Sequence, residues 1–367
     1  MKYSGIELIR HLSLAFGPTG REDVVRELII EQIEGDCDGY CEDRVGNLIA
    51  KVCGRGLDYN PEKPQRLMLS AHMDEVGFMI RQITDEGYLK FGTLGGIDPR
   101  VLCGRGVTIY GKDDEVIQGV IASKAIHMQT AEERTKVTPA DKLYIDIGAL
   151  DKADAETKVS VGDCATFTSD FVTYGEEQKY MKGKALDDRC GCAALIETMR
   201  YLHDGAFDLP FDVYFAFTRC EEIGISGAVV AANTVAPDYA IIMEATAIND
   251  LPGVSGPARV SALGGGGVLS LVDGGTIYDR AFVDYALQTG EEKGIKCQIK
   301  QYASGANDAR AVQRSLTGVQ RSLTGVRVLA LSLPTRYIHS ASNVSTYEDF
   351  EAYRDLVIAM LREWKLN

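Results

Sequence analysis

Positive charge is in short supply in this 367-residue chain: 39 Lys and Arg stand against 53 Asp and Glu, a formal net charge of -14. That balance argues against nucleic acid or an anionic membrane surface as a partner. Long apolar runs are also missing. Nothing approaches the roughly 18 consecutive apolar residues of a membrane span. The start, MKYSGIELIRHLSLAF, reads as an amphipathic helix with Ile6, Ile9, Leu12 and Leu14 inward rather than as a signal peptide. No paired cysteine spacing suggests a zinc knuckle. The nine cysteines, at 37, 41, 53, 103, 164, 190, 192, 220 and 297, are odd in number and scattered. Buried, reduced thiols in a cytoplasmic protein are the expectation. A dinucleotide fingerprint is absent too: the glycines from Gly264 to Gly267 do not form GxGxxG. Histidine is rare, with five residues in all, so each position carries information.

What is present describes a globular protein of one large or two moderate domains, 45% apolar and 25% charged. Residues 5 to 34 read as two helices broken at Gly17-Pro18-Thr19-Gly20. Short strands are expected near 37 to 43 and 47 to 53, followed by the apolar run Leu67 to Ala71. From Val76 to about Phe167 the texture becomes β-rich, with pieces such as VGFMIRQI, GYLKFGTL and EVIQGVIAS between Gly and Asp turns. An α/β pattern resumes after it. The reading is therefore a mixed-sheet α/β domain formed by 1-75 and 168-367, interrupted by a small barrel-like domain at 76-167. The heptad QRSLTGV occurs twice in succession, at 313 to 319 and 320 to 326. A single copying is not a repeat architecture.

The chemistry-bearing residues collect where apolar runs end: His72 and Asp74, Asp187 and Asp188, Glu221 and Glu222, Glu244, and His339. Open α/β sheets assemble their sites beyond the carboxyl ends of buried strands, one contribution per βα junction. A single HxD, DD or EE is commonly a satisfied core histidine or a solvated pair. Several such junctions on alternating β/α texture form a more specific pattern. Two histidines with several carboxylates and no cysteine suit zinc, cobalt or manganese, and one carboxylate can bridge two ions. His127, inside the β-rich segment, is expected at the surface.

The strings LSAHMDEVGF, KALDDRCG, CEEIGISGA, IIMEATAINDLPG and LPTRYIHS resemble those of the M42 family of dinuclear-metal aminopeptidases. The resemblance spans essentially the whole chain and implies a role for each position. His72 matches a ligand of one metal, Asp187 the bridging aspartate, Glu222 and His339 ligands of one ion, and Glu244 a ligand of the other. Glu221 matches the general base and Asp74 the carboxylate that orients His72. Two divalent ions per subunit are implied, zinc or cobalt first and manganese next. Short peptides with a free N-terminus would be the substrates, and a homo-oligomer, commonly of twelve subunits, the assembly. The inserted domain is implied in oligomerisation and substrate access. Three departures stand out. Glu244 occupies a position more often Asp, Arg219-Cys220 precede the glutamate pair where Gln is common, and the duplicated heptad follows Ser304 to Ala309, a stretch the family places near the site. Two other readings remain open from the residues: a deacylase or carboxypeptidase on the same metal pair, and a metal-binding assembly subunit without turnover.

Overall fold

The computed structural model describes residues 1–205, 208–301, 305–315 and 325–366. The chain opens with α1 (Gly5–Leu14) and α2 (Asp23–Ile33), on either side of the Gly17 to Gly20 turn. Leu8, Ile9 and Leu12 are fully buried, whereas Leu14 is 41% exposed. The expectation for Leu14 fails because each helical step turns about 100°, which puts residue 14 roughly opposite residue 12. After α2 come β1 (Gly39–Glu42), β2 (Leu48–Val52) and β3 (Gln65–His72).

Six short strands follow: β4 (Gly77–Ile83), β5 (Leu89–Leu94), β6 (Gly106–Tyr110), β7 (Val116–Ile121), β8 (Ile145–Asp146) and β9 (Cys164–Phe167). The short helix α3 (Lys152–Lys158) precedes β9. The six close into a barrel in the order β4-β5-β8-β7-β6-β9. Strand alternation explains why they do so. In β7, Ile117, Gly119 and Ile121 point inward while Val116, Gln118 and Val120 face out. Phe78 centres the barrel, edge-on to Phe91 and Phe167 at 5.1 Å each. This core is separate from the larger one. His127 is exposed on this segment.

The remaining elements are β10 (Val172–Tyr174), β11 (Tyr180–Gly183), α4 (Leu186–Asp204), β12 (Phe211–Thr218), α5 (Ser226–Val235), β13 (Tyr239–Ala247) and β14 (Gly267–Leu269). They continue with α6 (Arg280–Lys293), β15 (Cys297–Ile299), α7 (Ala309–Arg314), β16 (Arg327–Thr335), β17 (Asn343–Thr346) and α8 (Tyr347–Arg362). The main sheet has eight strands in the order β1-β2-β12-β3-β13-β16-β14-β15. Its centre, β12-β3-β13-β16, is parallel, so four strands end at one edge. These strands are buried along nearly their whole length, as expected of a sheet covered on both faces. Helix α4 is almost wholly buried because Cys190, Gly191, Cys192, Ala193 and Ala194 are small enough for close approach to β13 and β3. Strands β10, β11 and β17 form a small antiparallel sheet that the sequence reading did not anticipate.

The glycine run has a structural role. Asp349, at the start of α8, accepts the Gly264 and Gly266 amides at 2.8 and 2.7 Å. Gly266 has φ +75, and a Cβ there would meet the Lys296 carbonyl at 1.9 Å. All nine cysteines are free, but only Cys164, Cys190 and Cys192 are buried; Cys41 and Cys103 are exposed. Of the duplicated heptad, residues 316–324 lie outside the described residues.

Candidate metal centre

The parallel strands deliver their side chains to one edge. His72 is the last residue of β3 and Asp74 lies two beyond it. Glu221 and Glu222 follow β12, and His339 follows β16. Asp187 sits in the non-helical first turn of α4. Glu244 was expected just past the end of its strand, but β13 runs on to Ala247 and carries Glu244 within it. Pairing explains the extension: Glu244 through Ala247 stay in register with Ser332 through Thr335 of β16.

Among the described residues two groups of donor atoms result, each within 4.8 Å: His72, Asp187 and Glu244, and Asp187, Glu222 and His339. Asp187 belongs to both through different oxygens. Its Oδ1 lies 3.3 Å from His72 Nε2, and its Oδ2 lies 3.5 Å from His339 Nε2. His72 Nε2 is 3.5 Å from Glu244 Oε1, and His339 Nε2 is 3.3 Å from Glu222 Oε2. The rear nitrogen of each ring meets a carbonyl oxygen, Asp74 O at 3.0 Å for His72 and Gly96 O at 2.7 Å for His339. Such contacts fix ring orientation and leave Nε2 free to bind.

Asp74 does more than face His72, from which its Oδ1 is 3.4 Å away. The same oxygen accepts the Glu221 amide at 3.0 Å, and Oδ2 accepts the Glu222 amide at 3.2 Å. It therefore sets the backbone of the glutamate turn. The turn is closed by Gly227, whose amide donates to Arg219 O at 3.1 Å. A Cβ there would lie 2.2 Å from that oxygen. Buried Glu22 supports the turn from below, accepting from Arg219 Nε at 2.5 Å and from the Cys220 amide at 3.2 Å. Cys220 and His339 both hold left-handed backbone, with φ of 54° and 58°. Such strain persists where surrounding contacts over-determine it.

Asp188 stands apart from its neighbour. It is fully buried, accepts the His72 amide at 3.3 Å and the Gly191 amide at 3.1 Å, and joins neither donor group.

Crowded, buried carboxyls perturb one another. Burial pushes Glu222 up to about 8, with the Asp187 charge adding to it. Burial likewise raises Glu244, and raises Glu221 well above the usual carboxylate range. Burial opposes the charged form of His72, yet Glu244, Asp187 and Asp74 carry it well above its usual value. The same contest raises His339 to about 9, through Asp187 and Glu222. Asp187 is held below the usual range by the two histidines despite its burial. So many acids cannot all ionise together without cations among them. The donors are oxygen and imidazole nitrogen only, a set that fits divalent zinc, cobalt or manganese. Three protein donors per group leave coordination positions for water or substrate.

A cleft of about 480 Å³ opens over these atoms, lined in part by Glu221, Ala245, Ala247, Asp273, Lys300 and Ile338. A larger cavity, about 1020 Å³, lies on the barrel and contains none of the donor residues. Sequence reasoning missed Asp273 and Lys300, which sit in no motif with metal spacing. It also missed Gly96, since the loop after β5 gave no sign that the barrel would wall the site. The stretch from Gly305 to Asn307, flagged by resemblance, does line the cleft.

Comparison with known proteins agrees with this architecture. The sequence profile of the M42 glutamyl aminopeptidase family matches residues 46–356. A TET aminopeptidase from a marine sediment archaeon of the Thaumarchaeota superposes with a TM-score of 0.90 at 31% identity, covering 98% of this chain and 96% of that one. The TET1 peptidase of Pyrococcus horikoshii, described as able to assemble into a tetrahedron or a large octahedral shell, gives 0.83 at 35% identity over 98% and 99%. The lysyl aminopeptidase of Pyrococcus furiosus is 27% identical over 98% of this chain and 97% of its own.

Proposed function

The chain belongs to the M42 peptidase family and is an aminopeptidase; from that premise we propose that it works with two divalent cations and that Glu221 is its general base. The observation that carries the reading is Asp187, whose two oxygens face two separate histidine-carboxylate groups. His72, Asp187 and Glu244 would hold one ion, and Asp187, Glu222 and His339 the other. When bound, the ions supply Lewis acidity at the scissile carbonyl and lower the pKa of the attacking water.

Glu221 lines the cleft but belongs to neither donor group, which leaves its carboxylate for proton transfer. Its burial raises its proton affinity, the property a base working near neutrality needs. It takes a proton from water as the water oxygen bonds to the carbonyl carbon. It then gives that proton to the departing amine nitrogen as the C–N bond breaks. Asp74 holds the Glu221 and Glu222 amides and so fixes where both carboxylates start. The substrates are short peptides with a free N-terminus. We extend the reading to the barrel as the contact surface of a homo-oligomer, of twelve subunits by analogy with the family. Light scattering that finds only monomer would sink that extension.

The test is hydrolysis of aminoacyl-nitroanilides beside their N-acetylated counterparts, using chelator-stripped protein with zinc, cobalt or manganese restored. Metal-dependent turnover of free-amine substrates alone supports the proposal, whereas turnover of blocked substrates moves the reaction to a deacylase. Glu221→Gln should keep the fold and the metal content but lose at least ~10²-fold in rate. Near-native turnover by that variant removes Glu221 from its role.

A further inference from the structure

Behind the donor atoms lies a buried ionic hub that the reaction does not use. Glu75, 2% exposed, is three residues beyond His72. Its Oε1 accepts from Lys184 Nζ at 2.6 Å and from Arg189 Nη2 at 3.3 Å. Its Oε2 accepts from Thr166 Oγ1 at 2.7 Å. Lys184 and Arg189 stand on either side of Asp187 in the chain, and Thr166 belongs to β9 of the barrel. One carboxylate thus joins the end of β3, the turn that presents Asp187, and the last barrel strand.

The hub is anchored on its far side as well. Lys184 Nζ donates to Ala15 O at 2.9 Å. Arg189 donates from Nη1 to Leu12 O at 2.6 Å and from Nη2 to Gly17 O at 3.2 Å. The Glu75 amide donates to Gly17 O at 3.0 Å, and the Thr19 amide donates to Glu75 O at 3.1 Å. Thr19 in turn donates its hydroxyl to Asp74 Oδ2 at 2.8 Å. The loop between α1 and α2 is therefore the frame on which both donor segments are mounted.

We infer that Glu75 is a positioning residue for the metal donors: with Thr166, Lys184 and Arg189 it fixes the separation of His72 from Asp187 and ties that separation to the barrel. Two segments far apart in sequence must present Nε2 and Oδ1 within a fraction of an ångström of a bindable spacing. Main-chain pairing fixes β3, but the non-helical residues Asp187 and Asp188 lack that support. The paired cations on each side of them supply it. A purely structural ion pair would affect stability alone, whereas a positioning pair also changes the affinity and geometry of the bound ion.

The inference rests on the metal reading above but not on peptidase turnover. The test uses the full chain and cobalt(II) alone, with affinity from chelator competition, geometry from the visible absorption bands, and the thermal midpoint recorded in parallel. Thr166→Val removes one hydroxyl at nearly constant volume, and Glu75→Gln removes the charge. Both should lose about ten- to a hundredfold in cobalt affinity and shift the bands, and Thr166→Ser should restore both. Variants with wild-type affinity and bands overturn the inference, whatever their melting temperature. If Glu75→Gln does not fold, Thr166→Val decides. Wild-type protein that takes up no cobalt overturns the metal reading and the inference with it; wild-type uptake with unchanged variants overturns the inference alone.

Discussion

Protons and cations compete for the same donors, and the competition has a calculable size. Glu222 is raised to about 8 and His339 to about 9, so both hold protons at pH 6. Metal ligation requires the deprotonated carboxylate and the neutral imidazole. The sign follows: affinity for the ion proposed to sit at Glu222 and His339 should rise with pH and level off above about pH 9. At pH 6 the competent form would be about one part in 10² for Glu222 and about one part in 10³ for His339. Treated as independent, they cap the loss at about 10⁵-fold. They are not independent, because Asp187 and Glu222 both touch His339. With one proton displaced per ion, the gain in affinity is about tenfold per pH unit, or roughly 100-fold between pH 6 and pH 8. Calorimetric titration of zinc into chelator-stripped protein, repeated in buffers of different ionisation enthalpy, counts the released protons directly. Affinity that is flat from pH 6 to pH 8, with no proton release, would refute the assignment of Glu222 and His339 as ligands.

Other consequences lie away from the centre. Burial raises the Asp212 carboxyl, but Lys51 at 2.8 Å, the Gly54 amide at 2.9 Å and the Tyr59 hydroxyl at 3.0 Å outweigh it and hold it below its usual range. Its stabilising contribution is therefore present above about pH 4 and lost as pH falls through the lowered folded value. Asp212→Asn should lose about 1 kcal/mol in urea melts at pH 7, and the gap from wild type should shrink toward pH 3. A gap that widens on acidification would contradict this. Trp364, past the end of α8, lies edge-on to Phe211 at 5.0 Å, Tyr239 at 5.2 Å and Phe282 at 5.6 Å. Trp364→Ala should cost about 3 kcal/mol by the same melts, with the metal affinity unchanged.

The contrast between Asp187 and Asp188 shows how far the primary structure reaches. A DD pair at the mouth of a helix marks both residues as candidates, and adjacency gives no way to choose between them. Backbone direction makes the choice: Asp187 faces the cleft and Asp188 turns to the His72 and Gly191 amides. Glu244 is a related case: the apolar run from Tyr239 to Met243 reads as a strand that stops there, and the strand instead carries Glu244 within it. Its partners in β16 decided that β13 should run on to Ala247. The helical stripe of α1 was legible except at Leu14, where the angular step placed an apolar side chain outside.

The roles of ligand, base and orienting carboxylate were implied by the resemblance of the motif strings; by itself the amino-acid order determined the α/β texture, the β-rich interruption and a set of polar residues, Asp188 among them, where apolar runs stop. These depend on local composition, on periods of two and 3.6 residues, and on polar groups placed where apolar runs stop. Only the tertiary structure decided which oxygen of Asp187 faces which histidine, that Gly96 of the barrel supports His339, and that Glu75 joins three segments behind the centre. The physical reason is that such contacts link residues about 90 to 240 positions apart. Their geometry follows from strand order and register, which no local pattern encodes.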